Sequence, residues 1–321
     1  MRRVACSALV AMILSHASPA ASEAVIHAPG PSGQLEGTLR VAKGGAGPVV
    51  LIVPGSGPTD RDGNNALGVN ASTYRLLAEG LVTRGISSVR IDKRGMFASR
   101  AAIRDANAVT ISDYAADVHA WIGVIRERTG NACVWLIGHS EGGLVALAAA
   151  QRPAGICGLI LLAAPGRRLG DVLRDQLRAN PGNAPILPQA IAAIEAIEAG
   201  RRVDVADMDP ALLPLFRPAV QGFLIDAFSR DPAKLISTVH APVLVVQGAQ
   251  DIQIGLGDAW ALAKANPAAK LVVLEAANHV LKDVPTGDRE ANLRAYAAPD
   301  LPLSAGLVDA IADFIRPSAP R

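Results

Sequence analysis

The sequence carries little net charge, and it contains no run of basic residues. Its 321 residues include 31 lysines and arginines against 29 aspartates and glutamates, which gives a formal net charge of +2. A protein that binds nucleic acid concentrates basic residues to neutralise phosphates, so a nucleic-acid partner is not expected. Beyond the first residues, no stretch reaches the roughly 18 apolar residues of a membrane-spanning helix. Stable insertion into a membrane is therefore not expected for the rest of the chain.

The first residues have the pattern of a secretory signal. Arg2 and Arg3 form a short positive start, Val4–Leu14 is almost entirely apolar, and small residues suited to a signal peptidase follow. We therefore expect residues 1–22 to be a signal peptide that exports the protein to the periplasm or out of the cell. Without this segment, basic and acidic residues balance.

The most informative stretch is Val134–Gly143, which contains a strand, a sharp turn and the start of a helix. Four apolar residues predict a buried strand, and the alanine- and leucine-rich residues after Gly143 predict a helix. Glycines on either side of the turn relieve backbone crowding because they have no Cβ. The G-x-S-x-G pattern in this setting is typical of a nucleophile elbow, which makes Ser140 the candidate nucleophile. The alternative at this point is an ordinary glycine-rich turn.

Strands and helices alternate on both sides of a helical block. Residues 166–238 contain helical stripes and many prolines but no strand pattern. This arrangement predicts an α/β fold: one mostly parallel, doubly wound sheet with a helical cap inserted after the sixth strand. The hydrolase core would comprise residues 23–165 and 239–321, and the cap is expected to roof the pocket above Ser140. The predicted strands are 24–27, 35–41, 49–53, 88–91, 134–137, 158–163, 243–247 and 271–274.

A serine nucleophile needs a base and an orienting acid. His279 follows the last predicted strand, whereas His139 belongs to the elbow and the remaining histidines lie away from the carboxyl ends of the strands. Asp251 follows the penultimate strand and is the preferred acid. Asp258 is its rival, although its position at a helix start resembles an N-cap. The chain order Ser, Asp, His is that of α/β-hydrolases.

Two backbone N–H groups are candidates for binding the oxyanion. One belongs to Glu141 at the helix start, and the other to Ser56 in the glycine-rich loop 54–58, in preference to the glycine after it. An ordinary tight turn is the alternative for that loop. Residues 60–64 resemble a calcium loop but lack its glycine and its glutamate, so no metal is expected. A salt-bridged turn is expected instead, with Arg94 as one candidate partner.

Cysteine is scarce, with three residues in the whole sequence. Cys6 lies in the signal segment, while Cys133 and Cys157 begin two strands expected to be parallel neighbours. The spacing does not resemble a zinc site, and an oxidising compartment permits a disulfide between the last two. Two buried thiols are the alternative, because the strand register decides which faces the side chains occupy.

These motifs resemble the α/β-hydrolase superfamily, in particular secreted bacterial serine hydrolases with P-G-S-G-P-T-D-R-D-G-N, D-K-R-G and G-H-S-E-G-G. The resemblance covers nearly all of residues 24–321. It implies that Ser140, Asp251 and His279 form a catalytic triad and that the helical block is the cap. Members with R-G-x-G-x-S after the fourth strand have glycine where this chain has Phe97, which bears on the local pocket shape.

The expected activity is hydrolysis of small-molecule carboxylic esters through an acyl-enzyme on Ser140, with no cofactor. A peptidase or amidase and an acyltransferase use the same triad and remain alternatives. A binding protein without activity is disfavoured because all three triad residues are present. A dehalogenase is excluded, since it needs a carboxylate where Ser140 stands.

Overall fold

The computed structural model describes residues 22–45 and 47–316, so the expected signal segment lies outside the described residues except for Ser22. Within the described part of the chain, eight strands form one sheet. They are β1 (Ser22–Pro29), β2 (Gln34–Val41), β3 (Val49–Val53), β4 (Ser87–Ile91), β5 (Val134–His139), β6 (Ile156–Leu162), β7 (Val243–Gly248) and β8 (Lys270–Leu274). A separate small hairpin pairs Asn64–Asn65 with Val69–Asn70.

The sheet is mostly parallel, and its spatial order is β1-β2-β4-β3-β5-β6-β7-β8. β2 runs antiparallel to both of its neighbours, and all other pairs are parallel. Every residue of β3 and β7 is buried, as expected for strands that are covered on both faces. The predicted α/β-hydrolase fold, with a mostly parallel doubly wound sheet, is therefore confirmed.

Helices cover both faces of this sheet. On one face, Leu77 and Ile311 belong to a single buried cluster, and on the other Trp121 and Leu147 belong to a second. The helices are α1 (Thr73–Thr83), α2 (Ile111–Thr129), α3 (Glu141–Ala149), α4 (Leu169–Arg178), α5 (Leu187–Glu198), α6 (Leu213–Phe216), α7 (Pro218–Ser229), α8 (Pro232–Ile236), α9 (Leu256–Ala265), α10 (Arg289–Ala295) and α11 (Leu307–Ile315). Among the described residues, no helix is both long and apolar enough to cross a bilayer.

Helix α2 shows how local sequence sets these elements. The Thr110 side chain accepts the N–H of Asp113, whose carboxylate accepts the N–H of Thr110 in return, which is a capping box. Gly130 ends the helix with a positive φ of 72°, a conformation that glycine adopts without strain. Between these ends, Trp121 and Ile125 lie on the buried face. The helix is thus defined by its two caps and its apolar stripe.

Helices α4 to α8 follow β6, the sixth strand of the sheet. All residues from 166 to 238 are described, and this segment contains helices but no strand. Helix α7 packs against α2 and the short turn Ala106–Ala108, while α8 packs against α3 and α9. The Asp226 carboxylate accepts the backbone N–H of Ile111 at 2.8 Å, which ties α7 to the start of α2.

A disulfide joins Cys133 to Cys157 at the start of β5 and β6, with the two Cα atoms 5.2 Å apart. Val134 pairs with Ile156 and Trp135 pairs with Gly158, so Cys157 is the extra residue of a β-bulge. The predicted disulfide is confirmed.

Phe97 has a backbone conformation that favours glycine. Its φ is +45°, a left-handed value that is strained for residues with a Cβ. The side chain is 40% exposed and is not among the described residues that line the cavity beside Ser140. The departure therefore changes the outer surface rather than that cavity.

Candidate active site

Ser140 lies at a strained turn between β5 and α3. Its backbone has φ 53° and ψ −126°, values that residues other than glycine rarely adopt. Its N–H donates to the Leu162 carbonyl at 2.9 Å, which anchors the turn to β6. A Cβ on Gly138 would lie 2.3 Å from the Gly142 carbonyl oxygen, and a Cβ on Gly142 would lie 2.3 Å from that of Val53. Both flanking glycines are therefore required by the close packing of the elbow.

Asp251 and His279 meet at the carboxyl edge of the sheet, after β7 and β8. His279 Nδ1 lies 2.8 Å from Asp251 Oδ2, and both side chains are nearly inaccessible, at 6% and 0% exposure. Asp251 Oδ1 accepts the backbone N–H groups of Gln253 and Ile254 at 2.7 and 2.9 Å. These bonds fix the carboxylate, and the carboxylate directs the Nδ1 proton of His279. Nε2 is then the basic nitrogen of the ring.

A cavity of about 140 Å³ lies beside the elbow. Ser140, His279 and Ser56 all line it, so the structure brings these candidates to one space. The rest of the lining is largely small or polar, and it includes Gly55, Thr59, Asn65, Thr73, Gln253 and Tyr296.

None of the described lining residues belongs to the segment 166–238. The expectation that the helical block roofs Ser140 is therefore not met at this cavity. The apolar stripes of the block are used elsewhere: Ile194, Ile197 and Phe228 are buried in the same cluster as Trp121 of α2. The cavity is walled instead by the loop after β3 and by residues that follow β7 and β8.

The loop after β3 approaches the nucleophile closely. A Cβ on Gly55 would lie 3.3 Å from the Ser140 Cβ, and the next residue, Ser56, lines the cavity. Glu141 directly follows Ser140 as the first residue of α3, where backbone N–H groups lack partners within the helix. Both candidate oxyanion donors thus belong to segments that adjoin Ser140, as oxyanion binding requires.

His139 and Tyr74 form a buried network that sequence reasoning missed. The Tyr74 hydroxyl accepts the N–H of Gly55 at 2.9 Å and lies 2.8 Å from His139 Nδ1. His139 Nε2 lies 2.8 Å from the carbonyl oxygen of His279. A carbonyl only accepts, so Nε2 carries the proton and Nδ1 accepts the Tyr74 O–H. His139 therefore ties the elbow to the backbone of His279.

The charge state of His139 agrees with this network. Burial, assisted by the neighbouring His279, lowers the pKa of His139 to about 3. The imidazole is therefore neutral at neutral pH. The helical spacing of Tyr74 indicated only a core position, and no sequence pattern pointed to its hydroxyl.

Lys93 is a second residue that sequence reasoning missed. It follows β4, and its Nζ donates to the Gly55 carbonyl at 2.6 Å. The same ammonium lies 3.6 Å from Glu141 Oε1 and 5.5 Å from the centroid of the Tyr114 ring. Burial lowers the pKa of Lys93, an effect that the Glu141 carboxylate opposes. Only the charges on either side of Lys93 in D-K-R-G drew attention in the sequence.

The expected partnership of the loop 60–64 with Arg94 is wrong. The loop 60–64 is a salt-bridged turn, but Arg61 pairs with Asp92, whose Oδ1 accepts the Arg61 N–H at 2.9 Å. Arg94 binds Asp117 instead, at 2.6 Å, because α2 places that carboxylate beside it.

Asp258 is not the N-cap of α9, since Gly255 has that position. It lies within the first turn, where it accepts the N–H of Gly166 at 3.0 Å and pairs with Arg167 at 2.9 Å. Asp258 therefore fixes the start of the helical segment, while Asp251 is the acid that contacts His279.

Known proteins are similar to this chain in sequence and in fold. Esterase EstD from Thermotoga maritima is 27% identical over 254 residues, which make up 77% of this chain and 58% of that protein. The chain thus spans less than two thirds of the length of this curated relative.

Two solved structures share the fold at low identity. The alpha/beta hydrolase GrgF from Penicillium sp. sh18 has a TM-score of 0.56 and 20% identity, over 86% of this chain and 98% of its own. Est1E from Butyrivibrio proteoclasticus has a TM-score of 0.54 and 17% identity, over 90% and 99%.

A family model also matches the chain. Residues 66–282, more than half of the chain, match the model of the serine aminopeptidase S33 family. This range includes the elbow at Ser140 as well as Asp251 and His279. Together with the α/β-hydrolase fold, the match shows that the chain belongs to the serine aminopeptidase S33 family.

Proposed function

We propose that this protein is a serine hydrolase that cleaves small carboxylic esters, with Ser140 as nucleophile, His279 as base and Asp251 as orienting acid. One observation carries the proposal. His279, hydrogen-bonded to Asp251 through Nδ1, shares a cavity with a serine held in a strained elbow. A nucleophile, a base and an oriented third group in this arrangement are the elements of acyl transfer.

The first half-reaction forms the acyl-enzyme. Ser140 Oγ bonds to the ester carbonyl carbon while His279 Nε2 takes the hydroxyl proton. The carbonyl oxygen becomes an oxyanion and is held by the backbone N–H groups of Ser56 and Glu141. When the tetrahedral intermediate collapses, the bond to the alcohol oxygen breaks, and the alcohol leaves with the proton from His279.

The second half-reaction releases the acid. A water molecule gives a proton to His279 Nε2 as its oxygen attacks the acyl carbon. The same N–H groups hold the second oxyanion, and its collapse breaks the bond to Ser140 Oγ, which recovers its proton from His279. Asp251 stabilises the imidazolium in both halves without being protonated itself.

An aminopeptidase is the second candidate, and the description of the family favours it. Such an enzyme must bind the α-ammonium of its substrate, for which a carboxylate is the natural partner. The described residues that line the cavity include no aspartate or glutamate. The name of the relative EstD adds support for an ester substrate. Ester hydrolysis is therefore the preferred activity.

Export to the periplasm or the cell exterior is part of the proposal. Its support is the signal-like pattern of residues 1–22 together with the Cys133–Cys157 disulfide, a bond typical of oxidising compartments. Mass spectrometry of the protein recovered from each cell fraction tests this point. A full-length chain found only in the cytoplasm would contradict it.

The activity is tested with a series of chromogenic esters of increasing acyl length beside an aminoacyl amide. Wild-type protein should hydrolyse short esters and react with a fluorophosphonate at Ser140. Ser140→Ala should abolish both, whereas Ser237→Ala, which removes an exposed hydroxyl that donates to the Lys234 carbonyl, should preserve both. Retention of more than a few per cent of ester hydrolysis by folded Ser140→Ala refutes the assignment. Faster cleavage of the amide than of every ester favours the aminopeptidase.

A further inference from the structure

Lys93 is a buried cation whose presence is not explained by stability. Its side chain is 4% exposed, and that of Glu141, its partner at 3.6 Å, is 8% exposed. Removing two charges from water is costly, and apolar residues of similar volume often stabilise a fold as well or better. The ammonium has a second contact, a 2.6 Å hydrogen bond to the Gly55 carbonyl.

That contact fixes the direction of the next N–H group. In a planar trans peptide, the carbonyl of one residue and the N–H of the next point in opposite directions. No cis peptide bond occurs among the described residues. Because the Gly55 carbonyl points to buried Lys93, the Ser56 N–H points away from Lys93. Ser56 itself lines the cavity beside Ser140.

Gly55 is held at its other polar group as well, since its N–H donates to the Tyr74 hydroxyl. The Ser56 N–H, in contrast, has no acceptor within residues 22–45 and 47–316. The peptide between Gly55 and Ser56 is thus fixed on one side and has an unused donor on the other. An oxyanion donor needs both properties, because it must be aimed in advance and unoccupied.

We propose that Lys93 is a positioning residue of the oxyanion hole, which aims the Ser56 N–H by holding the Gly55 carbonyl. Its ammonium also faces the side chain of Glu141, the residue whose backbone N–H is the other candidate donor. Lys93 thus connects the two segments that supply the hole. This inference rests on the proposed function, since it concerns the oxyanion of that reaction.

The test compares Lys93→Met with the full-length wild-type protein. All rates are expressed per active site, counted by stoichiometric fluorophosphonate labelling. The expected result is a fall in kcat for a short chromogenic ester of about 10- to 100-fold, with KM within about threefold. Loss of a whole donor lowers rates by about 10²–10³, and here a donor is misdirected rather than removed. Inhibition by an alkyl trifluoromethyl ketone, which forms a tetrahedral adduct on the serine, should weaken by the same factor as kcat.

Arg94→Met is the matched control. Arg94 is also a buried cation, next in sequence to Lys93, but it binds Asp113 and Asp117 and not the loop after β3. It should lower stability and leave kcat per labelled site and ketone affinity near wild type. A merely structural role for Lys93 predicts that Lys93→Met behaves like this control, and that outcome overturns the inference.

A double variant distinguishes the loss of the hydrogen bond that orients the Ser56 N–H from the effect of leaving the Glu141 charge unpaired. Lys93→Met combined with Glu141→Gln removes both charges, so no unpaired ion stays buried, and it also serves as the test if Lys93→Met does not fold. Relative to Glu141→Gln alone, it should show the same loss in kcat and ketone affinity. Recovery of full kcat in the double variant overturns the inference. If the wild type is active and the variants are unaffected, the role of Lys93 is refuted but the proposed function stands. If the wild type neither hydrolyses esters nor is labelled, the proposed function is refuted as well.

Discussion

Acid should destabilise this protein through His139. In the folded state this imidazole is neutral, because Nδ1 accepts the Tyr74 O–H and Nε2 donates to the His279 carbonyl. A proton added to Nδ1 would face the Tyr74 O–H and place a charge on a buried ring. Burial and the neighbouring His279 accordingly lower the pKa of His139 to about 3, from an ordinary value of 6.5.

The sign and size of the effect follow from this difference in pKa. Between pH 6.5 and 3, the unfolded chain binds a proton at His139 that the folded protein does not. The contribution of neutral His139 to the free energy of unfolding is therefore complete above pH 6.5 and is lost as the pH falls towards 3. The loss is about 2 kcal/mol at pH 5 and approaches about 5 kcal/mol below pH 3. For a domain with a free energy of unfolding of about 5–15 kcal/mol, the loss at pH 5 is already large.

The assay is urea-induced unfolding at pH 7.5 and pH 5.0, with the disulfide kept oxidised. The quantity compared is the change in the free energy of unfolding between the two pH values. His139→Gln keeps a polar side chain but removes the titrating group, so its change should be smaller than that of wild type by about 2 kcal/mol. His240→Gln, at an exposed position before β7, should keep the wild-type change. Equal pH dependence in wild type and His139→Gln refutes the reasoning.

Three further predictions concern other parts of the structure. Asp251→Asn should lower kcat by about 10⁴ while the protein stays folded, because the tautomer of His279 is no longer fixed. A fall in kcat of less than about tenfold would contradict the role assigned to Asp251. Gly142→Ala should give little folded protein, since its Cβ would lie 2.3 Å from a backbone oxygen of β3. Gly123→Ala, with open space around it in α2, should instead be stabilised by about 1 kcal/mol. Thermal melting of the two variants compares their stabilities. Replacing both disulfide cysteines by serine should lower the free energy of unfolding by about 3 kcal/mol for a sequence separation of 24, and unchanged urea midpoints would contradict this estimate.

The fold could be predicted because its strands are buried on both faces. The apolar runs 49–53 and 243–247 predicted strands that the structure places at Val49–Val53 and Val243–Gly248. A strand that is covered on both faces is apolar along most of its length, so its pattern differs from that of an amphipathic helix. The mostly parallel arrangement of the strands then followed from their alternation with helices.

The candidate site could be predicted because chemistry gathers where parallel strands end. Ser140, Asp251 and His279 each follow a different strand, and the structure places them at one edge of the sheet. The position of the helical block relative to the cavity could not be derived in the same way. An apolar stripe shows that a helix is covered, but not whether a core helix, another stripe or a substrate covers it.

The partners of charged residues were equally hard to derive. Arg61 pairs with Asp92 across 31 positions of the chain, and Arg94 pairs with Asp117 across 23. Several opposite charges lie within reach of each guanidinium in the sequence, and only the packing of α2 and the loop after β3 selects among them. A sequence shows that such a turn is charged; the fold decides which carboxylate it meets.

Residues that support a site by hydrogen bonds to backbone groups are the hardest to predict from a sequence. Tyr74 and Lys93 act on the N–H and the carbonyl of Gly55, and His139 acts on the carbonyl of His279. Backbone groups are the same at every position, so no motif identifies the side chains that hold them. A base and an acid can be found by residue type and strand end, but the aim of an oxyanion donor depends on peptide orientation. The rate of the proposed ester hydrolysis should therefore depend on buried residues outside the triad, among which Lys93 most directly contacts the peptide of a candidate donor.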